Sequence, residues 1–333
     1  MRDTIKTDEA TSSKGGVGGK LLEWSGGKFT PSDSGAQLGR QRIADLDLFN
    51  DGVLIDLLDN YPRNRLQAWT MGTDPLHREE WKAVDTTGVS GKDLLAAVKT
   101  GRLWYNILRL DLFDRRYREL VDQLYGEMAA DCPSFKPLSA FGTLLLSSPD
   151  AMVYYHADGP PTTLFHVRGR KRMWVYPAGD ERFVSRYFLE EIFGSAMDEE
   201  VPYSPDFDQH AAAYDLEPGD AIWWPQNAPH RIKNLGTLNV SLSTRYETVE
   251  SEQRKLVYNA NRFFRRRLGV QRLSVKEAGL ICSAKCFTYR LCRRAGLDRN
   301  PPGYVYKTTL KVDPTAPLGY STVAEPKRTA FSA

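Results

Sequence analysis

Residues His156 to Lys171 read HADGPPTTLFHVRGRK. The stretch opens on His-x-Asp and closes on a lysine fifteen residues later, with apolar, strand-like sequence between. Side chains i and i+2 of a strand share a face, so a single short segment offers an imidazole and a carboxylate to one ion. A third ligand must come from elsewhere in the chain. His230, in PGDAIWWPQNAPHRI, is the candidate: a Pro-Gly-Asp turn, an apolar strand and a Pro-containing loop lead up to it. A bare His-x-Asp is too common to carry this reading, and each histidine alone is equally a core or loop residue. The distal histidine behind its own strand makes the combination more specific.

The sequence around this stretch is β-rich. Strands are expected at Ala140–Ser147, Val153–Asp158, Thr163–Arg168, Arg172–Tyr176, Ala221–Trp224, Arg231–Asn234 and Leu238–Tyr246. Ser-Ser-Pro-Asp, Gly-Pro-Pro and Glu-Pro-Gly-Asp turns separate them. Many short strands with regular punctuation imply a mainly β sandwich or barrel. An insert at about 180–214 interrupts the strands, with a helix expected over Asp180–Phe193.

Before the strands, residues 1–40 are rich in Gly, Ser, Thr and Lys and read as a flexible leader, with a short ordered piece around Leu21–Trp24. An α/β elaboration follows: a helix at Leu94–Lys99 capped by Ser90, a strand at Arg102–Leu110, and a helix at Leu112–Ala130 with apolar residues at helical spacing. Residues 41–250 are therefore expected to form one unit. Helical periodicity returns at Glu250–Leu268 and Ser274–Ala295, within a basic segment 251–300, and an extended tail occupies 301–333.

The composition, 41% hydrophobic and 26% charged over 333 residues, is that of an ordinary folded protein. No apolar run approaches the roughly 20 residues of a membrane span. The N-terminus is polar, and a cytoplasmic location is expected. Four cysteines in a chain this long read as buried thiols. Net charge is +3, but residues 251–300 hold thirteen Lys/Arg against three acids, which leaves the rest at −7. Such a segment contacts nucleic acid or another polyanion, or else is a solvated helix face or an interface whose charges pair with the acidic body, and the latter is the simpler expectation.

Two His and one carboxylate occupy one face of an octahedral ion and leave three positions open, as in non-haem Fe(II) oxygenases. A closed zinc site takes four protein ligands, often thiolates. Lys171 adds to this. It follows a Gly-Arg pair that can turn its side chain inward, and a buried ammonium needs an anionic partner.

Together, His156-x-Asp158, Gly169-Arg-Lys171, Pro218-Gly-Asp220 and Pro229-His230 resemble the Jumonji-C, or cupin-like, group of Fe(II)- and 2-oxoglutarate-dependent oxygenases. The pattern is most similar to the asparaginyl hydroxylases that act on hypoxia-inducible factor, and it covers about residues 100–250. The resemblance implies a double-stranded β-helix (jelly-roll) core flanked by N- and C-terminal helices. It implies Fe(II) on His156, Asp158 and His230, and 2-oxoglutarate and O2 as cosubstrates. Lys171 would meet the distal carboxylate of 2-oxoglutarate. Thr162 or Thr163 would hydrogen-bond it, Tyr105 or the competing Trp104 would give a second contact, and Ser241 would stand where relatives often have Asn. Val153 replaces a Thr of the related hydroxylase. His166 alternates in phase with Thr162 and Leu164, and either faces the cosubstrate or points outward. The implied reaction is hydroxylation of a protein or small-molecule substrate, with a homodimer contact through the C-terminal helices. Two other readings keep the barrel: a metal-dependent cupin enzyme without 2-oxoglutarate, and a non-enzymatic binding protein whose basic segment contacts nucleic acid.

Overall fold

The computed structural model describes residues 19–195, 199, 201–298 and 305–330. The chain enters through β1 (Leu22–Trp24) and β2 (Gln37–Gln41), then α1 (Asp51–Asn60), β3 (Leu66–Thr70), α2 (Gly91–Thr100), β4 (Leu103–Ile107), α3 (Leu110–Phe113) and α4 (Arg115–Asp131). The barrel strands are β5 (Ser139–Ser147), β6 (Met152–His156), β7 (Thr162–Arg168) and β8 (Lys171–Val175). After α5 (Arg186–Phe193) come β9 (Ala212–Leu216), β10 (Asp220–Trp223), β11 (His230–Asn234) and β12 (Asn239–Glu247). Two helices, α6 (Val249–Leu268) and α7 (Leu280–Arg294), and a hairpin of β13 (Val305–Val312) and β14 (Tyr320–Ala330) complete it.

The larger sheet runs β1-β2-β10-β7-β12-β5-β4-β3 and the smaller β6-β11-β8-β9, with every strand pair antiparallel. The chain passes between sheets at β5–β6, β6–β7, β7–β8, β9–β10, β10–β11 and β11–β12. That path is a jelly roll, the double-stranded β-helix, mainly β as expected.

Both faces of the larger sheet are covered. Phe165, Val167, Val240, Leu242, Leu144, Leu146, Tyr105 and Ile107 face outward into a core with α2 and α4. From α4, Tyr117, Leu120, Val121, Leu124, Tyr125 and Met128 are the buried residues, at the spacing that predicted the helix. Gly142 on β5 lets α4 approach: a Cβ there would lie 3.2 Å from Val121 and from Leu242. The opposite face, with Leu164 and Ile222, meets Met173, Val175 and Ile232 of the smaller sheet inside the barrel.

Several boundaries differ from expectation. Residues 19–41 are not a flexible leader: β1 and β2 extend the larger sheet beyond β10, and Phe29 packs against Trp24 and Trp223. Residues 1–18 lie outside the described ones. The helix expected from Leu112 is broken at Asp114, whose side chain caps α4 by accepting the Arg116 N–H. The insert helix begins at Arg186, after its Ser185 cap, and β9 lies in what reads as loop. The last helix starts at Leu280, behind Gly279 at φ +99. The expected tail is a hairpin joined to the body by the Asp85–Lys327 ion pair at 2.9 Å.

Five charges of the basic segment, those of Arg254, Lys255, Arg262, Arg265 and Arg266, pair with acids among the described residues. Arg265 meets Glu190, Arg262 and Arg266 both meet Glu191, and Arg254 meets Glu277. On α7, Cys282, Cys286 and Tyr289 are buried. Leu280, Ile281 and Phe287 remain exposed, on the segment where the implied homodimer contact would form. No described helix is long and apolar enough to cross a membrane.

Candidate metal centre

β6 and β11 are neighbours, and their register sets His230 directly opposite His156, with ring centroids 4.1 Å apart. Asp158 follows in the turn after β6. The Asn227 side chain holds that turn, donating to the carbonyls of Asp158 (2.7 Å) and Gly159 (3.2 Å). One ligand atom from each of His156, Asp158 and His230 lies within 4.8 Å of the others, and among the described residues no fourth His, Cys, Asp or Glu joins them. Asp158 and His230 are buried.

Backbone carbonyls fix the histidine tautomers. His156 Nδ1 donates to Tyr154 O at 2.7 Å, and His230 Nδ1 donates to Ala228 O at 3.1 Å. A carbonyl only accepts, so each proton sits on Nδ1 and each Nε2 keeps its lone pair for an ion. Burial, and then the neighbouring His156, hold the His230 pKa well below its usual value, which favours the neutral ligand form. Behind the site, Arg231 lies 3.5 Å over the Trp174 ring and donates to Asp208 at 2.5 Å, anchoring the strand beside His230.

Two residues missing from the sequence reading stand next to these ligands. Arg245 Nη2 lies 3.0 Å from Asp158 Oδ1 and 2.6 Å from Glu199 Oε2. Burial pulls the Arg245 pKa down, but the two carboxylates outweigh it and raise it above its usual value. Glu199 comes from the insert. Its backbone carbonyl accepts from Ala157 N–H at 2.9 Å, and its carboxylate accepts from Gly159 N–H at 3.3 Å. Alternation along β12 could have found Arg245, which shares a face with Ser241 and Ser243.

At the other end of this interior face lies Lys171, 3% exposed. Its ammonium donates to Ser241 Oγ at 2.9 Å. No carboxylate among the described residues forms an ion pair with it. Burial pushes its pKa down to about 7. His166 lies beyond, with Nδ1 2.9 Å from the same hydroxyl and Nε2 2.9 Å from Gly169 O. Since Gly169 O only accepts, Nε2 carries the proton and Nδ1 accepts from Ser241. The serine proton is thereby committed to His166, and its lone pair receives Lys171. Burial, then Lys171, lower the His166 pKa to about 3, so the ring is neutral. Gly169, at φ +84, turns the chain from β7 to β8: a Cβ there would fall 2.5 Å from Leu238 O.

The sequence-derived cosubstrate residues divide by face. Thr162, His166 and Ser241 are on the inner one; Thr162 lies opposite Arg245 in the β7–β12 register, and its hydroxyl donates to Pro160 O at 3.3 Å. Thr163 points the other way, towards the core with α4, where its backbone carbonyl accepts from Thr244 at 3.2 Å. Tyr105 is also excluded. It faces α2, donates to Leu94 O at 3.2 Å, and burial raises its pKa far above the usual range. Trp104, one residue earlier, takes the opposite face and packs near Met71, Ala151 and Tyr154.

No protein-family model and no curated protein matches the chain. Among solved structures, YcfD, a ribosomal oxygenase from Escherichia coli in complex with cobalt and 2-oxoglutarate, is similar over 76% of this chain and 60% of its own, with 12% identity and a TM-score of 0.41. The same protein with cobalt and succinic acid is similar over 74% and 59%, with 13% identity and a TM-score of 0.38. The DMSP lyase DddQ from Ruegeria pomeroyi is similar over 34% and 40%, with 12% identity and a TM-score of 0.22. The chain spans about 60% of the length of the YcfD chains.

Proposed function

We propose that the chain is an Fe(II)- and 2-oxoglutarate-dependent oxygenase, a hydroxylase of a protein or small-molecule substrate. One observation carries this beyond a bare metal site: the barrel interior that holds two His and one carboxylate also holds a buried ammonium that pairs with no carboxylate among the described residues. An isolated buried charge is costly, and a dicarboxylate supplies its missing partner. A cupin enzyme without 2-oxoglutarate leaves Lys171 without a role.

The donor set fits Fe(II). His156 and His230 present Nε2 lone pairs, and Asp158 presents Oδ2 3.6 Å from His230 Nε2. Lys171, steadied by Ser241, would take the distal carboxylate of 2-oxoglutarate. Iron and 2-oxoglutarate, when bound, supply the O2 activation that couples cosubstrate decarboxylation to substrate oxidation. The protein's own part is positional. Tyr154 O and Ala228 O orient the imidazoles, Asn227 holds the Asp158 turn, and the apolar interior around Met173 and Ile232 excludes water.

The test is succinate formation from 2-oxoglutarate. It should require Fe(II) and disappear in His156→Ala. Equal rates in native and variant protein would overturn the assignment. Calorimetry of metal-loaded protein with 2-oxoglutarate separates this reading from a cupin enzyme of another kind, which would give no binding heat.

A further inference from the structure

We propose that Arg245 is a positioning residue that holds Asp158 to single-oxygen ligation of the metal, with Glu199 of the insert as its counter-charge. The inference rests on the metal-centre reading above but not on the identity of the cosubstrate.

A carboxylate binds an ion through one oxygen or two. Two-oxygen binding by Asp158 would consume a coordination position that an oxygenase must keep for cosubstrate or O2. The two oxygens of Asp158 are not equivalent. Oδ2 faces His230 Nε2 at 3.6 Å, while Oδ1 is occupied by Arg245 Nη2 at 3.0 Å. A charge-assisted hydrogen bond to Oδ1 turns that oxygen away from an ion shared with the histidines.

The arrangement has an electrostatic cost. A guanidinium beside a dication repels it, and Arg245 stands one carboxylate away. Glu199 offsets this at 2.6 Å from the same nitrogen. Its segment is tied to the His-x-Asp turn at two points, Ala157 N–H to Glu199 O and Gly159 N–H to Glu199 Oε1. The insert therefore supplies a charge to the metal centre.

Opposite signs follow for the two partners. Arg245→Gln frees Oδ1 and removes a positive charge, so Mn(II) should bind about tenfold tighter while one metal-bound water is lost. Glu199→Gln leaves Arg245 on Asp158 without compensation, so Mn(II) should bind about tenfold more weakly with its water count unchanged. Arg245→Lys keeps a charged donor and should restore the water. Affinity is read by electron paramagnetic resonance of free Mn(II), and hydration by water-proton relaxation, with no turnover involved. Thermal unfolding identifies a folded variant, and Arg245→Met, which also removes the charged donor, serves if Arg245→Gln does not fold. An unchanged water count in folded Arg245→Gln, or equal affinities in both Gln variants, overturns the proposal. If native protein takes up no Mn(II), the metal centre itself falls and the inference with it. If native protein binds Mn(II) but makes no succinate, only the oxygenase assignment falls.

Discussion

The barrel interior has two cations at its two ends, and they are treated oppositely. Arg245, whose side chain is 35% exposed, is matched by the carboxylates of Asp158 and Glu199. Lys171, deeper in, has one serine hydroxyl and a neutral imidazole behind it. A cation with its anions built in serves the architecture of the site. A cation without one among the described residues is, under the proposed function, the place for an anionic ligand, and the protein carries the cost of keeping it buried.

The sharpest break between the ends should come from Asp158→Ala. Metal binding and succinate formation should fall by more than about a thousandfold, while the fold persists because Arg245 keeps Glu199. Metal titration and circular dichroism check both halves. Lys171→Met should weaken 2-oxoglutarate by on the order of 100-fold, since charge-assisted hydrogen bonds are lost. The same change should stabilise the protein by roughly 1–3 kcal/mol, as apolar replacement of buried charge often does. A urea midpoint lower than native would mean that Lys171 already has an anion.

pH should separate the ends further. The Lys171 pKa is lowered to about 7 by burial, so above that value the empty site is largely neutral. A carboxylate needs the ammonium, so binding must then take up a proton. The affinity for 2-oxoglutarate should fall by up to about tenfold per pH unit above 7, with nearly one proton absorbed at pH 8. Calorimetry in buffers of different ionisation enthalpy measures that proton. For stability the sign is opposite: the unfolded lysine binds its proton up to its ordinary value, so the burial penalty is full below about pH 7 and lifts as pH rises towards 10.5, where the protein gains stability. The smallest effect should come from Ser241→Ala, which leaves His166 Nδ1 and Lys171 unsatisfied. A loss of about 1–3 kcal/mol in urea unfolding and a several-fold weaker cosubstrate are expected.

The metal ligands were legible because ligand chemistry and spacing survive any uncertainty in register. His156, Asp158 and His230 converge as the motif requires, and Lys171 turns inward as its Gly-Arg approach suggested. Residues on β4 and β7 were harder to place. Strand β7, TTLFHVR, is buried on both faces apart from its last residue, so no polar alternation marks the inner side. A one-residue difference in phase separates Thr162 from Thr163 and Trp104 from Tyr105. Glu199 had no such signal. It lies in an acidic, loop-like stretch, and only tertiary structure brings it to the turn after His156.

The ion pairs between the insert and α6 bear on where this chain can be cut. Glu190 is fully buried and Glu191 is 4% exposed, and their partners Arg262, Arg265 and Arg266 all lie beyond residue 250. An expression boundary drawn at the end of the last barrel strand would strip two carboxylates of their cations and loosen the segment that carries Glu199. The barrel and the basic helices are best handled as one indivisible piece.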